Sequence, residues 1–262
     1  MHNAAFAALG LDWRYVAFEV DPQNLRAAID GAKAMGFAGL NLTVPHKLLA
    51  MEMVDVLDDS AKVWGAVNTI KFEAGADGKM RAHGFNTDAD GISRSLREDL
   101  GVELRGARVL LLGAGGAGRT AALKLAAENV AKLFLVNRTL SKAENIAAEI
   151  KKRFPAVRVS AGYPKTDLDL LVNATSLGLK PDDASPLDEG QFALRSARAV
   201  YDMIYRPAET KLLVAAKAAG CKTANGLGML LHQGAKAFEI WTGKTAPLEV
   251  MRRALEQNIY GH

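Results

Sequence analysis

A single cysteine, Cys221, stands among 262 residues. One thiol cannot close an internal disulfide, so the expected setting is a reducing cytoplasm. With only one cysteine and five dispersed histidines, the chain offers no zinc-ligand spacing, and no metal is expected. Long apolar runs are missing as well. The longest, Val109 to Leu112 with the glycines after it, is strand-sized, against the roughly 20 residues that a membrane helix needs. The N-terminus has no basic region followed by an apolar one, which argues against a secretory signal. Charge of one sign is nowhere concentrated: 33 basic and 29 acidic side chains, formally +4 in sum, are interleaved. Without a basic arm or an arginine-rich helix, nucleic acid is not an expected partner. A mildly positive surface suits small anionic molecules instead. Internal repeats and low-complexity linkers are absent.

Hydrophobic residues make up 49% of the chain and charged ones 24%, ordinary globular values for one large domain or two modest ones. The first stretch alternates. Asn3 to Leu9 reads as a helix closed by Gly10, and Trp13 to Val20 has the content of a strand. Asp21-Pro22 supplies an N-cap and a first-turn proline for a helix to about Met35. Gly36 to Val44 reads as a strand stopped by Pro45. Ala66 to Phe72 and Met80 to Phe85 are two more strands, linked by the turn Ala76-Asp77-Gly78. Such alternation favours a mostly parallel or mixed sheet covered by helices. From Arg105 a second unit begins. The apolar strand Arg108 to Leu112, a glycine turn, an alanine-rich helix and the strand Lys132 to Val136 follow in order. A helix from Ser141 to about Phe154 comes next, then strands near Arg158, at Leu168 to Asn173 and at Ala199 to Asp202. This is the βαβ pattern of a doubly wound, Rossmann-type domain. From Gly226 the chain turns helical, over Met229 to Gly243 and Pro247 to Asn258.

Gly113-Ala114-Gly115-Gly116-Ala117-Gly118 fits G-x-G-x-x-G. The first glycine permits the tight turn, the second lets a pyrophosphate approach the backbone, and the third lets helix and strand pack closely. The free N–H groups and positive dipole end of the following helix suit phosphate. The motif alone is weak, but here it follows an apolar strand and opens a helix. An NAD site places Asp or Glu at the end of the next strand. This chain has Asn137-Arg138-Thr139 there, with Lys142 one turn on. Arg138 and Lys142 attract a 2′-phosphate and Thr139 can donate to it, so NADP is the expected cofactor.

Three polar segments stand out earlier: Asn41 to Lys47, Ala66 to Thr69, and Gly84 to Gly91. Each sits at an expected strand end, where α/β ligand sites form. Reducing a ketone needs a hydride and a proton, and a lysine beside an aspartate can supply the proton and stabilise the alkoxide. Lys47 and Asp88 are the candidates, although by residue type alone such side chains are more often caps or surface charges.

The run Asn41 to Lys47 resembles the N-x-T-x-P-x-K signature of the shikimate dehydrogenase family. Ala66 to Thr69 is similar to its A-x-N-T segment, and Gly84 to Gly91 to G-x-N-T-D-x-x-G. Asp202 to Pro207 matches D-x-x-Y-x-P, and Gly226 to Ala235 resembles the family's C-terminal helix. These motifs cover nearly the whole chain, in the family's order. The resemblance implies an NADP-dependent, reversible reduction of 3-dehydroshikimate to shikimate, on the route to chorismate and the aromatic amino acids. It implies Lys47 and Asp88 as the catalytic pair, with Lys47 handling the proton at the substrate's 3-position. Thr43, Asn68 and Gln233 would bond the substrate hydroxyls, and Tyr205 would close the site. Asn41 would support its loop. Thr175, Met203, Gly226 and Met229 would lie by the nicotinamide or near it. His46 reads as structural, and Met203 and Met229 could equally serve packing.

One departure stands out. Family members carry a strand ending in S-x-S-P before a Met-His-Asn helix, whereas this chain starts at Met1-His2-Asn3. The expectation is that a strand and two carboxylate-binding serines belong before Met1, or that another group binds the carboxylate. The expected architecture is a substrate domain over residues 1–87, an NADP domain over 88–222, and C-terminal helices over 223–262 returning to the substrate domain. A cleft between the domains would hold the nicotinamide against the substrate, in a monomer or homodimer. Rival readings are a quinate- or aminoshikimate-type dehydrogenase, or a non-catalytic NADP-binding module without the serine turn.

Overall fold

The computed structural model describes residues 1–261. It divides into two compact units, Met1–Ala89 with the segment from Gln233 onward, and Asp90–His232.

The first unit opens with α1 (His2–Ala8). The Asp21 side chain then accepts the Gln23 N–H at 2.9 Å to cap a 3₁₀ turn, Pro22–Asn24. That turn leads into α2 (Leu25–Ala34), which buries Leu25, Ile29 and Ala32 along one face. After it come β1 (Gly39–Asn41), α3 (His46–Leu49), β2 (Val56–Leu57), α4 (Asp59–Trp64), β3 (Thr69–Ala74) and β4 (Met80–Phe85). The strands form a mixed sheet in the order β1-β3-β4-β2. β3 runs antiparallel to both β1 and β4, and β2 runs parallel to β4. The face of α2 packs with Val67, Ile70, Phe72 and Ala82 in one core.

Two expected strands change. Trp13 to Val20 forms none, because no strand pairs with it among the described residues, and β-rich composition needs a partner to complete a ladder. The Asn3 amide holds this segment instead, accepting from Tyr15 N at 2.6 Å and donating to Tyr15 O at 2.9 Å. The strand expected over Gly36 to Val44 contracts to β1. Gly36 turns the chain at φ +75° on one side, and a turn closed by His46 N–H to Thr43 O at 2.8 Å ends it on the other. Gly39 within it is obligatory: a Cβ there would lie 2.1 Å from Ile70 O and 2.3 Å from Trp241 Nε1.

The chain continues through α5 (Asp88–Leu100), β5 (Arg108–Leu112), α6 (Gly116–Ala127), β6 (Lys132–Val136), α7 (Leu140–Arg153), β7 (Arg158–Ala161) and β8 (Leu168–Asn173). Beyond lie β9 (Ala197–Asp202), α8 (Lys211–Ala218), β10 (Lys222–Asn225), α9 (Leu227–Thr242) and α10 (Leu248–Tyr260). Six parallel strands in the order β10-β9-β8-β5-β6-β7 make the doubly wound sheet. Its chain order reverses between β5 and β8, where ligands of such sheets bind. Leu110 and Leu112 of β5, Phe134, Leu171 and Val200 pack in its core, as expected of strands covered on both faces.

The boundary expected after residue 222 moves. The parallel ladder of β10 with β9 draws Lys222–Asn225 into the second sheet, and the division falls inside α9, between His232 and Gln233. The rest of α9 returns to the first unit. There the Trp241 indole N–H donates to Ile70 O at 2.8 Å and Phe238 stacks on Phe6 at 5.4 Å. Among the described residues no helix is long and apolar enough to cross a membrane.

Candidate active site

Antiparallel pairing explains how three separated segments meet in the first unit. Because β3 runs against both neighbours, its start lies beside the ends of β1 and β4, with Asn41 opposite Thr69 and Thr69 opposite Phe85. The Ala66 to Thr69 segment therefore leads into a strand rather than ending one. Lys47, in the single turn of α3, donates from Nζ to Asp88 Oδ2 at 2.6 Å. Their side chains keep 26% and 14% exposure, so the pair is partly shielded from water and partly open. Asp88 opens α5, where an acid is favoured by the helix dipole. Asn86 caps that helix, its Oδ1 accepting from Asp88 N at 3.1 Å and Ala89 N at 3.3 Å. Asn86 is itself fixed by donating from Nδ2 to Ala66 O at 3.0 Å and from its N–H to Ser60 Oγ at 3.0 Å. Sequence reasoning missed Asn86 and Ser60. The signal for Asn86 was an N-cap residue two positions before Asp88, at the head of a 13-residue helix.

Asn68 lies between these elements and is 2% exposed. Its Nδ2 donates to Asp88 Oδ1 and to Thr87 Oγ1, both at 2.9 Å. Its Oδ1 accepts from Thr87 N at 2.9 Å and from Thr69 Oγ1 at 3.1 Å. The amide that the resemblance assigns to substrate hydroxyls is engaged at both ends by the protein. Thr43 is exposed in the turn between β1 and α3, and no hydrogen bond ties it to Lys47 or Asp88. Gln233 is half-buried in the part of α9 that belongs to this unit. His46 stays out of the pair, with its Nδ1 buried and without a hydrogen-bond partner.

In the second unit the glycine turn is crowded at two positions and open at two others. Gly113 sits at φ +106°, where a Cβ would come 2.8 Å from Ala174 O, and a Cβ on Gly118 would come 2.2 Å from Gly113 O. Gly115, the residue before α6, and Gly116 face open space, with no heavy atom within 4 Å of an added Cβ. Ala117 follows in the first turn. Asn137 ties the loop to the end of β6, accepting from Ala114 N at 2.9 Å and donating to Thr139 O at 2.8 Å. Arg138, Thr139 and Lys142 are exposed at the start of α7. That helix has no acid in its first turn, and the Thr139 hydroxyl is not spent on capping it. Two exposed cations, an available hydroxyl and the open glycine turn fit a dinucleotide carrying a 2′-phosphate.

At the ends of β8, β9 and β10, Thr175, Met203 and Gly226 are brought together. Asn173 Oδ1 accepts from Thr175 N at 3.0 Å and Thr175 Oγ1 at 2.8 Å. Met203 N–H donates to Asn173 O at 2.9 Å. A Cβ on Gly226 would lie 2.1 Å from Met203 O. Beneath them Asp202 is fully buried, accepting from Asn173 Nδ2 at 2.9 Å and Thr210 Oγ1 at 2.6 Å. Burial pushes its carboxyl above the usual range, against those hydrogen bonds. Met229 is half-buried in the first turn of α9, and Tyr205 is exposed on the loop after β9.

The chain is similar to known proteins along nearly all of its length. The family model of the shikimate dehydrogenase substrate binding domain matches residues 1–70, that of shikimate / quinate 5-dehydrogenase residues 95–176, and that of the shikimate 5'-dehydrogenase C-terminal domain residues 226–256. A shikimate dehydrogenase (NADP(+)) of Methanocaldococcus jannaschii is 45% identical over 266 residues, covering 99% of this chain and 91% of the relative. A shikimate dehydrogenase solved in complex with NADP+ is 42% identical, with a TM-score of 0.86 over 98% of this chain and 89% of that one. The ligand-free 5-ketofructose reductase of Gluconobacter sp. strain CHM43 is 39% identical, with a TM-score of 0.84 over 98% and 92%.

Proposed function

The chain belongs to the shikimate dehydrogenase family, and from that premise we propose that it catalyses the reversible, NADP-dependent reduction of 3-dehydroshikimate to shikimate in the cytoplasm, on the route to chorismate. The observation that carries this reading is the Lys47–Asp88 pair, bonded at 2.6 Å and still partly open to solvent. Bound NADPH supplies the hydride. Lys47 gives a proton to the carbonyl oxygen as it becomes a hydroxyl, and takes it back in the oxidation direction. Asp88 holds the ammonium in the orientation that this transfer needs. Thr43 and Gln233 are assigned to the substrate hydroxyls and Tyr205 to closing the site. The backbone N–H groups of residues 113–118 are assigned to the pyrophosphate, and Arg138, Thr139 and Lys142 to the 2′-phosphate. Thr175, Met203, Gly226 and Met229 are assigned to the nicotinamide end.

The test is steady-state oxidation of shikimate by the purified full chain with NADP, followed as NADPH absorbance. Quinate oxidation and 5-ketofructose reduction are measured beside it. The expected result is turnover with the highest kcat/KM for shikimate. A higher kcat/KM for quinate or 5-ketofructose would reassign the substrate. NADP binding with no turnover of any of the three would leave a cofactor-binding module.

A further inference from the structure

We propose that Thr69, with Asn41 behind it, is a positioning residue for the reaction: a directed chain of hydrogen bonds from Asn41 through Thr69 and Asn68 sets the Asp88 carboxylate against Lys47. This rests on the reading of Lys47 and Asp88 as the catalytic pair. Nothing in the family motifs assigns such a role to Thr69, and the resemblance gives Asn68 to the substrate.

The direction of the chain follows from one bond that cannot be reversed. The Thr87 backbone N–H can only donate, and it points at the Asn68 side chain at 2.9 Å, so the atom it meets is the amide oxygen. The amide nitrogen must then face Thr87 Oγ1 and Asp88 Oδ1, each at 2.9 Å. A carboxylate accepts only, so the second contact demands the same orientation. Thr69 Oγ1, 3.1 Å from the amide oxygen, must be the donor to it. Its hydroxyl proton is thereby used, and Thr69 accepts from Asn41 Nδ2 at 3.0 Å. Asn41 Nδ2 also donates to Asn68 O at 3.2 Å, and Asn41 Oδ1 accepts from the Tyr15 hydroxyl at 3.1 Å. Burial raises the Tyr15 phenol above its usual range, which keeps that hydroxyl a donor.

Every group in this chain therefore has one orientation, and each bond polarises the next toward Asp88. Thr69 is fully buried and Asn68 nearly so, so water does not offer replacement partners. Asp88 receives Asn68 on Oδ1 and Lys47 on Oδ2. Its two oxygens are held by different residues, and that fixes the plane in which Lys47 is presented. Asn68 has no bonding capacity left for a hydroxyl ligand unless it releases Asp88 or Thr87.

The test is a double-mutant cycle on the full chain. Thr69→Val keeps shape and removes the hydroxyl. It is expected to lower kcat for shikimate oxidation by roughly three- to ten-fold, about the worth of one hydrogen bond, with the KM for shikimate and NADP little changed. Thr69→Ser, which keeps the hydroxyl, is expected to recover most of that loss. In an Asp88→Asn background Thr69→Val should cause no further fall, because its effect passes through the carboxylate. Asn41→Ala, one bond further out and less buried, should give a smaller fall of roughly two-fold with the same dependence on Asp88. It carries the test if Thr69→Val does not fold. Unchanged kcat in these variants, or the same fractional loss with and without Asp88, would overturn the proposal while the catalytic pair stands. A wild-type chain inert toward shikimate would instead overturn the parent reading.

Discussion

Lys47 and Asp88 gain their meaning from a single distance, 2.6 Å between Nζ and Oδ2, and their substitution is the first expectation. General acid–base groups contribute about 10²- to 10⁴-fold. Lys47→Ala and Asp88→Asn should therefore each lower kcat by roughly that factor while moving KM far less. The double variant should be little worse than either single one, since the two are proposed to act as a unit. Near-normal kcat in Lys47→Ala would remove the assignment. His2 supplies a different expectation, about stability. Its ring stacks on Tyr15 at 4.4 Å, with Trp241 at 5.5 Å, and burial drives its pKa from 6.5 down to about 4. The folded value lies below the unfolded one, so between those limits the unfolded chain binds more protons. Stability is whole above pH 6.5 and falls as pH drops toward 4, by roughly 3 kcal/mol at most for a displacement of that size. His2→Phe should flatten the dependence between pH 6.5 and 5 in urea unfolding. An unchanged slope would mean that other groups carry it.

The junction of β6 and α7 is the proposed determinant of cofactor choice. Asn137 takes the strand-end place of the acid that would hold a ribose hydroxyl, and it is committed to Ala114 and Thr139. The exposed Arg138 and Lys142 follow in a helix start free of acids. Arg138→Ala should raise the KM for NADP by about ten-fold or more, the scale of a charge-assisted bond to phosphate, and leave NAD nearly untouched. Raising salt should narrow the wild type's preference for NADP in the same direction. Equal losses for both cofactors would mark Arg138 as a structural residue of the loop.

For the whole chain, the two compact units make unfolding a composite event, so a single midpoint is a weak measure. Cofactor linkage gives a sharper one. A ligand at 100 times its Kd stabilises the state that binds it by about 2.7 kcal/mol. In calorimetry of the full chain, NADP should raise the transition that contains residues 90–232 by roughly 6–10 °C, and NAD at the same concentration should raise it less. Matching shifts for the two would contradict the role of the β6–α7 junction.

Where local pattern carries the physics, the chain is legible without its structure. β4, β6 and β8 begin and end at the residues expected from the sequence. The glycine loop is legible too, because the positive φ of Gly113 and the close approach of Gly118 to Gly113 O act within the loop itself. The strand over Trp13 to Val20 failed because a strand is a relation between two segments, and composition shows only one of them. β10 is the converse: Lys222-Thr223-Ala224-Asn225 has no strand signal, yet it is one because β9 offers it a parallel edge. Family motifs pointed to Lys47, Asn68 and Asp88, but not to the orientation of the Asn68 amide. That depends on hydrogen bonds to residues 19 and 20 positions away, brought together by the antiparallel register of β1, β3 and β4. Sequence determined which groups are present at the strand ends, because short-range pattern places strands and turns. Only the tertiary structure decided which atom of each group faces which, because hydrogen-bond direction is set by partners distant in the chain.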